Sequence, residues 1–475
     1  MNIRTTVPIL FLLVAGHISA QSAPDSPEHP WHSSGEQQVV NDSKPFLEPG
    51  FSIEPNRTYT LAELVNLAEE HNPETRVAWE TARAQMAALG VARSELYPTV
   101  AAVALSQTNR SEILFGSQFY RQTVQQFDGE LDLTYTIFDF GGRAGRIGAA
   151  RADLLAANFA FNDTHRKIIY ELAQAYYQLL DAAGQEEAAR ASLKNAQAVQ
   201  QAAEDRLKNG LATLPDVLEA RSAAAQSEYE LQAALGAEKN SRGDLATALG
   251  TRPTDAIQVQ AIDQLVIPES IGDSVDQAID RAFEQRPDLM QQVAEIRRAH
   301  ASVKETHSAF YPALSLDVGP NADSLYGLQQ QLPWVHTADL TGGLNLSLHW
   351  TLFDGGARRQ NLARAQANLR AAEAQVRVTR DEIADEVWRA YSNVETSLRQ
   401  RQAAAALLLA ADQSYSAALE SYNDGVRNLL DVTAAQRTLA QARSLDVLAR
   451  TQVLSNLSDL AFQSADLIRS GARRP

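Results

Sequence analysis

The sequence predicts an α+β membrane protein that crosses its bilayer with β-strands and continues outside it as long coiled helices, with the whole unit occurring twice. Three observations carry this prediction. Landmark residues recur at offsets of 214 and 215 positions. Segments of strict apolar–polar alternation occur once in each copy. Apolar residues also recur every seventh position over stretches longer than a compact core can hold.

Composition narrows the choice. The chain of 475 residues is 45% hydrophobic but only 7% aromatic, which suits closely packed helical walls better than a core filled by large side chains. It has no cysteine, so disulfides, thiol chemistry, thiolate metal sites and an N-terminal cysteine lipid are excluded. A net charge of −16 argues against nucleic acid as a partner, because that role needs a basic patch. In a hollow structure the same acidity would favour cations inside.

Residues 1–20 read as a secretory signal. Arg4 is its positive region, Val7 to Val14 its apolar region, and Ile18-Ser19-Ala20 its small-residue cleavage site. Residues 21–57 are polar and proline-rich, and read as a mobile extension. Residues 58–270 form the first repeat and 271–475 the second. No later segment has the roughly 18 apolar residues of a spanning helix, so any passage through a membrane falls to strands.

Each repeat has the same order. A short helix (Leu61 to His71; Val275 to Gln285) leads through Asn72-Pro73 or Arg286-Pro287 into a helix of about 23 residues. Tyr97-Pro98 and Tyr311-Pro312 end those helices, because proline cannot continue one and forces its predecessor into extended geometry. A β-hairpin follows near 98–138 and near 312–353. In it Leu131, Leu133, Tyr135 and Ile137 alternate with Asp132, Thr134 and Thr136. In the second copy Leu344, Leu346, Leu348, Trp350 and Leu352 alternate with Asn345, Ser347, His349 and Thr351. Such a period of two fits lipid on one face and water on the other. The earlier strands of each hairpin, near Val100 to Leu105 and Leu314 to Val318, are less regular.

Long helices over 142–209 and 357–424 follow Phe138-Asp139 and Phe353-Asp354-Gly355-Gly356. Ile147, Leu154, Phe161 and Ile168 fall seven apart in the first, and Leu362, Leu369, Val376 and Ile383 in the second. About 67 residues of helix span on the order of 100 Å. Glycine turns at Asn209-Gly210-Leu211 and Asp424-Gly425-Val426 lead to return helices over 213–250 and 428–470. Four strands cannot close a barrel, and open edges are not tolerated in lipid, so a membrane reading demands several copies.

Over all of the chain after Pro55, the order and spacing of these joints and turns resemble the TolC family of outer-membrane efflux and secretion channels. The resemblance implies a homotrimer: a twelve-stranded barrel in the outer-membrane lipid, four strands per protomer, continued by a periplasmic coiled-coil tunnel. It implies a passive exit duct of a tripartite efflux or type I secretion system, whose tips around Gly210, Leu211, Gly425 and Val426 meet a periplasmic adaptor and an inner-membrane pump. It further implies a gate: Asp216 as a latch carboxylate, Tyr422 and Arg427 as its partners, and Asp431 as a pore ring. A second ring aspartate of the family falls at Ala434 here; Glu219 is the repeat-equivalent position that would restore the charge. Pro98, Pro312, Asp139, Asp354, Gly355 and Gly356 serve as structural joints.

Other classes fit less well. There is no His-Glu-x-x-His, nucleophile elbow or P-loop. Gly141-Gly142-Arg143-Ala144-Gly145 lacks the dinucleotide spacing, and His300 and His307 read as a solvated stripe. No enzyme, cofactor or metal site is expected. A soluble periplasmic coiled-coil adaptor is the alternative, and it would lack duplicated, lipid-facing hairpins.

Overall fold

The computed structural model describes residues 27–28, 36–44, 51, 53–54, 57–255, 257–329 and 333–468. The signal segment lies outside them. The chain divides into two units, Met1–Ser52 and Ile53–Pro475. In the first, the extension is not wholly irregular: α1 (Glu36–Ser43) is an eight-residue helix with no buried residue. It lies in the proline-free stretch between Pro30 and Pro45, where nothing blocks a helix.

The second unit holds the duplication. β1 (Thr58–Tyr59) precedes α2 (Leu61–His71) and α3 (Pro73–Ser94). Next come β2 (Thr99–Phe115), β3 (Gln118–Phe138), α4 (Gly142–Lys208) and α5 (Leu214–Leu249). β4 (Gln258–Val259) pairs in parallel with β1, an element of two residues and too short to show a period. The second copy has α6 (Val275–Gln285), α7 (Pro287–Ser308), β5 (Ala313–Gln329), β6 (Val335–His349), α8 (Ala357–Asn423) and α9 (Leu429–Gln463). α4 and α8 each have 67 residues, and their ends differ by 215 positions.

Local chemistry sets the helix starts alike in both copies. Thr60 and Glu63 form a capping box at α2, and Ser274 and Gln277 form one at α6. Pro73 and Pro287 occupy the first turns of α3 and α7, where a missing N–H costs nothing.

The four long strands form one sheet in the order β2-β3-β5-β6, all antiparallel. Register divides its faces. Leu133, Val318 and Leu344 stand opposite one another, as do Tyr135, Leu316 and Leu346. The other face carries Thr134, Asp317 and Asn345 in one row and Glu130, Asn321 and Thr341 in another. The alternation read from the sequence thus becomes one apolar and one polar face, because directly paired residues share a side.

The strands correct the sequence reading in length. β2 and β5 have 17 residues each, well beyond Val100 to Leu105 and Leu314 to Val318. Conversely β6 stops at His349 rather than reaching Leu352. The next partner in its ladder would be Pro312, which has no N–H to give; Trp350 instead donates its indole Nε1–H to the Phe310 carbonyl at 3.1 Å. β3 faces the same obstacle at Pro98 yet runs on to Phe138, because β5 pairs with its other edge. Likewise α9 ends at Gln463, with Ala465 left-handed at φ 64°, short of residue 470.

The strand-to-helix joints are built on aspartate. Asp354 accepts from the Gly356 and Arg358 amides, both at 3.0 Å, and from Arg358 Nε at 2.8 Å. Asp139 accepts from the Arg143 amide at 2.5 Å. Each carboxylate thereby satisfies orphan donors at a helix start. Gly141 and Gly356 are left-handed at φ 97° and 88°. Phe140 holds φ 50° where the second copy has Gly355; its ring stacks on Tyr311 and meets Phe138 edge-on, contacts that offset the strain.

Helix packing is unequal between the copies. α4 packs against both α3 and α7, whereas α8 packs against α7 and has no comparable partner in α3. Hence Gly142, Gly145 and Ala152 of α4 are buried, while most of the equivalent part of α8 is exposed.

Candidate gate at the helical tips

Both long helices end by the same device. Gly210, at φ 70°, donates its N–H to Leu207, and Leu211 donates to Arg206 at 2.8 Å. Gly425, at φ 77°, donates to Tyr422, and Val426 donates to Ser421 at 2.9 Å. A left-handed residue here lets two last-turn carbonyls find partners, and glycine takes that conformation without strain. Leu211 and Val426 stand exposed at the extreme ends, at 67% and 80%.

The return helices start under polar caps. Asn428 Oδ1 accepts from the Asp431 amide at 2.9 Å. Asp216 Oδ2 accepts from the Thr213 amide at 2.8 Å and from the Thr213 hydroxyl at 2.7 Å. That hydroxyl, and then the amide, hold the Asp216 carboxyl below its ordinary range.

Of the proposed gate residues, the structure brings Asp216 and Tyr422 within each other's field but does not bond them. Tyr422 is 4% exposed and its hydroxyl has no partner. Burial raises its pKa first; the Arg206 charge opposes this and the Asp216 charge adds to it. Arg427 is exposed, with no ion pair among the described residues. Asp431 is exposed too. Glu219 pairs with Arg437 of α9 at 3.0 Å, so it has an ion-pair partner within its own chain.

Two residues missing from the sequence reading therefore join the hairpins here: Arg437, through Glu219, and Arg206. Arg206 Nη1 donates to the Tyr422 carbonyl at 2.8 Å and the Asn423 carbonyl at 3.1 Å. The available signal was divergence between the copies, since Arg206 corresponds to Ser421 and Arg437 to Ser222. Among the described residues, no group of three His, Asp or Glu side chains is placed to hold a metal.

Residues 64–251 and 278–463 each match the family described as outer membrane efflux protein. The chain belongs to the outer membrane efflux protein family. Its two matched stretches are the two structural copies. Protein CyaE of Bordetella pertussis is 27% identical over 414 residues, covering 86% of this chain and 85% of that protein. Outer membrane protein OprJ of Pseudomonas aeruginosa is 26% identical over 392 residues, covering 80% and 78%. The solved outer-membrane channel OprN superposes with a TM-score of 0.76 at 21% identity, over 85% of this chain and 89% of that one. An outer membrane efflux protein is a channel and not an enzyme family. Its members work as homotrimers in the outer membrane, extending into the periplasm, with an adaptor and an inner-membrane pump.

Proposed function

We propose that this chain is the outer-membrane exit duct of a tripartite efflux or secretion system, a passive trimer that its adaptor and pump open at the helical tips. The observation that carries this reading is the sheet: one apolar face, one polar face, and two unpaired edges, β2 and β6, which are the repeat equivalents of the central pair β5 and β3. Unpaired edges are forbidden in lipid. The duplication says how they close. Paired positions in β3 and β5 sum to 451, as in Leu133 with Val318. Carrying β3 to β6 by +215 and β5 to β2 by −214 makes the sum 452. Leu348 of one protomer then faces Ala104 of the next, both on the apolar face. The same operation lays α3 of a neighbour on the exposed part of α8, the place that α7 takes on α4.

The tips supply the gate. Asp431 lies in the first turn of α9, exposed, and Arg427 is a cation with no acid partner among the described residues; both are available to a neighbour around the axis.

Because the chain has no cysteine of its own, the register can be tested directly. Ala104→Cys combined with Leu348→Cys is expected to oxidise to a covalent trimer in outer membranes. A cross-link formed as well by Leu105→Cys with Leu348→Cys, whose side chains lie on opposite faces, or no cross-link at all, would overturn this closure.

A further inference from the structure

Arg206 sits in the last turn of α4 and spends its hydrogen bonds on the other hairpin. Its two acceptors, the Tyr422 and Asn423 carbonyls, end α8. Its guanidinium also lies over the Tyr422 ring, 4.7 Å from the centroid. That ring belongs to an apolar cluster drawn from both hairpins, with Val199, Ala203 and Val217 on one side and Ala418 and Val432 on the other. A cation at a helix C-terminus is favourable; here the cation comes from one hairpin and the terminus from the other.

The duplication does not account for this contact. The position equivalent to Arg206 is Ser421, and the one equivalent to Tyr422 is Leu207, so the copies cannot exchange roles. The contact is also incompletely satisfied. Arg206 Nε and the Tyr422 hydroxyl are buried without partners. Both donors would gain water if the hairpins parted, which offsets part of what the carbonyl bonds and the stacking contribute. A tie of this kind holds but is not permanent.

We propose that Arg206 is the positioning residue that holds the α8–α9 hairpin against the α4–α5 hairpin in the closed tip, and that opening requires its contact with Tyr422 and Asn423 to break. This rests on the reading that the constriction lies at the helical tips. It assigns the tie within one protomer to Arg206 and leaves Arg427 and Asp431 to act between protomers.

The test uses the full-length trimer in planar bilayers. Arg206→Ala is expected to raise the open probability by roughly tenfold or more, since it removes both bonds to the carbonyls while relieving the buried, unpartnered Nε. The thermal stability of the trimer should stay near that of the parent, because the apolar cluster and the barrel remain. Arg206→Lys should fall between the two, since an ammonium reaches the carbonyls without the flat stacking fork. Asp431→Asn, measured beside them, reports where the constriction lies through block by hexaamminecobalt(III). If Arg206→Ala conducts like the parent while Asp431→Asn weakens the block, the assignment to Arg206 falls and the tip reading stands. If neither changes, the tip reading itself falls. A rise in Arg206→Ala matched by loss of the trimer would also overturn the assignment, by making the residue merely structural.

Discussion

Asp216 shows how one side chain can be placed by sequence for one reason and held in the structure by another. The resemblance makes it a latch carboxylate; in the fold it bonds to Thr213, three residues before it. That contact was legible, since a hydroxyl residue followed three positions later by an acid marks a helix start. Arg206 was not, because its acceptors lie more than two hundred residues away and only packing brings them near. The Thr213 hydroxyl and amide lower the Asp216 pKa from its ordinary 3.8. A lowered folded value means the contact stabilises the tip fully above that range, and its contribution is lost as pH falls through the folded value. Hydrogen exchange at the Thr213 amide should therefore be protected steadily from neutral pH down to the ordinary carboxyl range, and lose protection below it. Asp216→Ala should remove about 0.5–1 kcal/mol of that protection at neutral pH and flatten the acid limb. An acid limb that survives in Asp216→Ala would place the titrating group elsewhere.

Among the elements, the long helices were the most legible, since a heptad held over many turns has few other readings. Their neighbours were less so. Nothing in the glycines at 142, 145 and 148 announced a close crossing, yet this face of α4 meets α7. A Cβ on Gly145 would lie 2.7 Å from both the backbone nitrogen and the Cβ of Glu305, and the second copy has Gln360 at that position. Two effects oppose each other when Gly145 becomes Ala. Helix propensity alone predicts a gain of about 1 kcal/mol. Steric conflict with backbone rather than a flexible side-chain end predicts a loss of about 1–3 kcal/mol. The second should win, so Gly145→Ala should unfold at a lower temperature than the parent. A raised melting temperature would show that α7 can move aside. Strand ends were the hardest to read. Alternation carried β6 to Leu352, but the ladder obeys the missing N–H of Pro312, a constraint that acts across strands and not along them.

For the whole molecule, the polar face of the sheet gives the acidic composition a location. Asp128, Asp323 and Asp339 stand directly opposite one another across three strands. Like charges in such pairs destabilise a sheet, and the same face also carries Glu130, Asp132 and Asp317. Among the described strand residues, neither lysine nor arginine shares that face; Arg110 and Arg121 lie on the other one by register. With the apolar face against lipid, these carboxylates line the water-filled interior, and closure of three copies repeats the row around the axis. Rings of one sign focus potential within a narrow aqueous path and raise the local concentration of counter-ions. The barrel should therefore prefer cations whether or not the tips are open. Reversal potentials in a KCl gradient, measured with the triple variant Asp128→Asn, Asp323→Asn and Asp339→Asn, should shift toward zero and depend less on salt, because screening acts on what charge remains. The variant should also fold at least as well as the parent, since each substitution relieves repulsion between neighbours in the ladder. An unchanged reversal potential would move the source of selectivity from the barrel down to Asp431 and the tips.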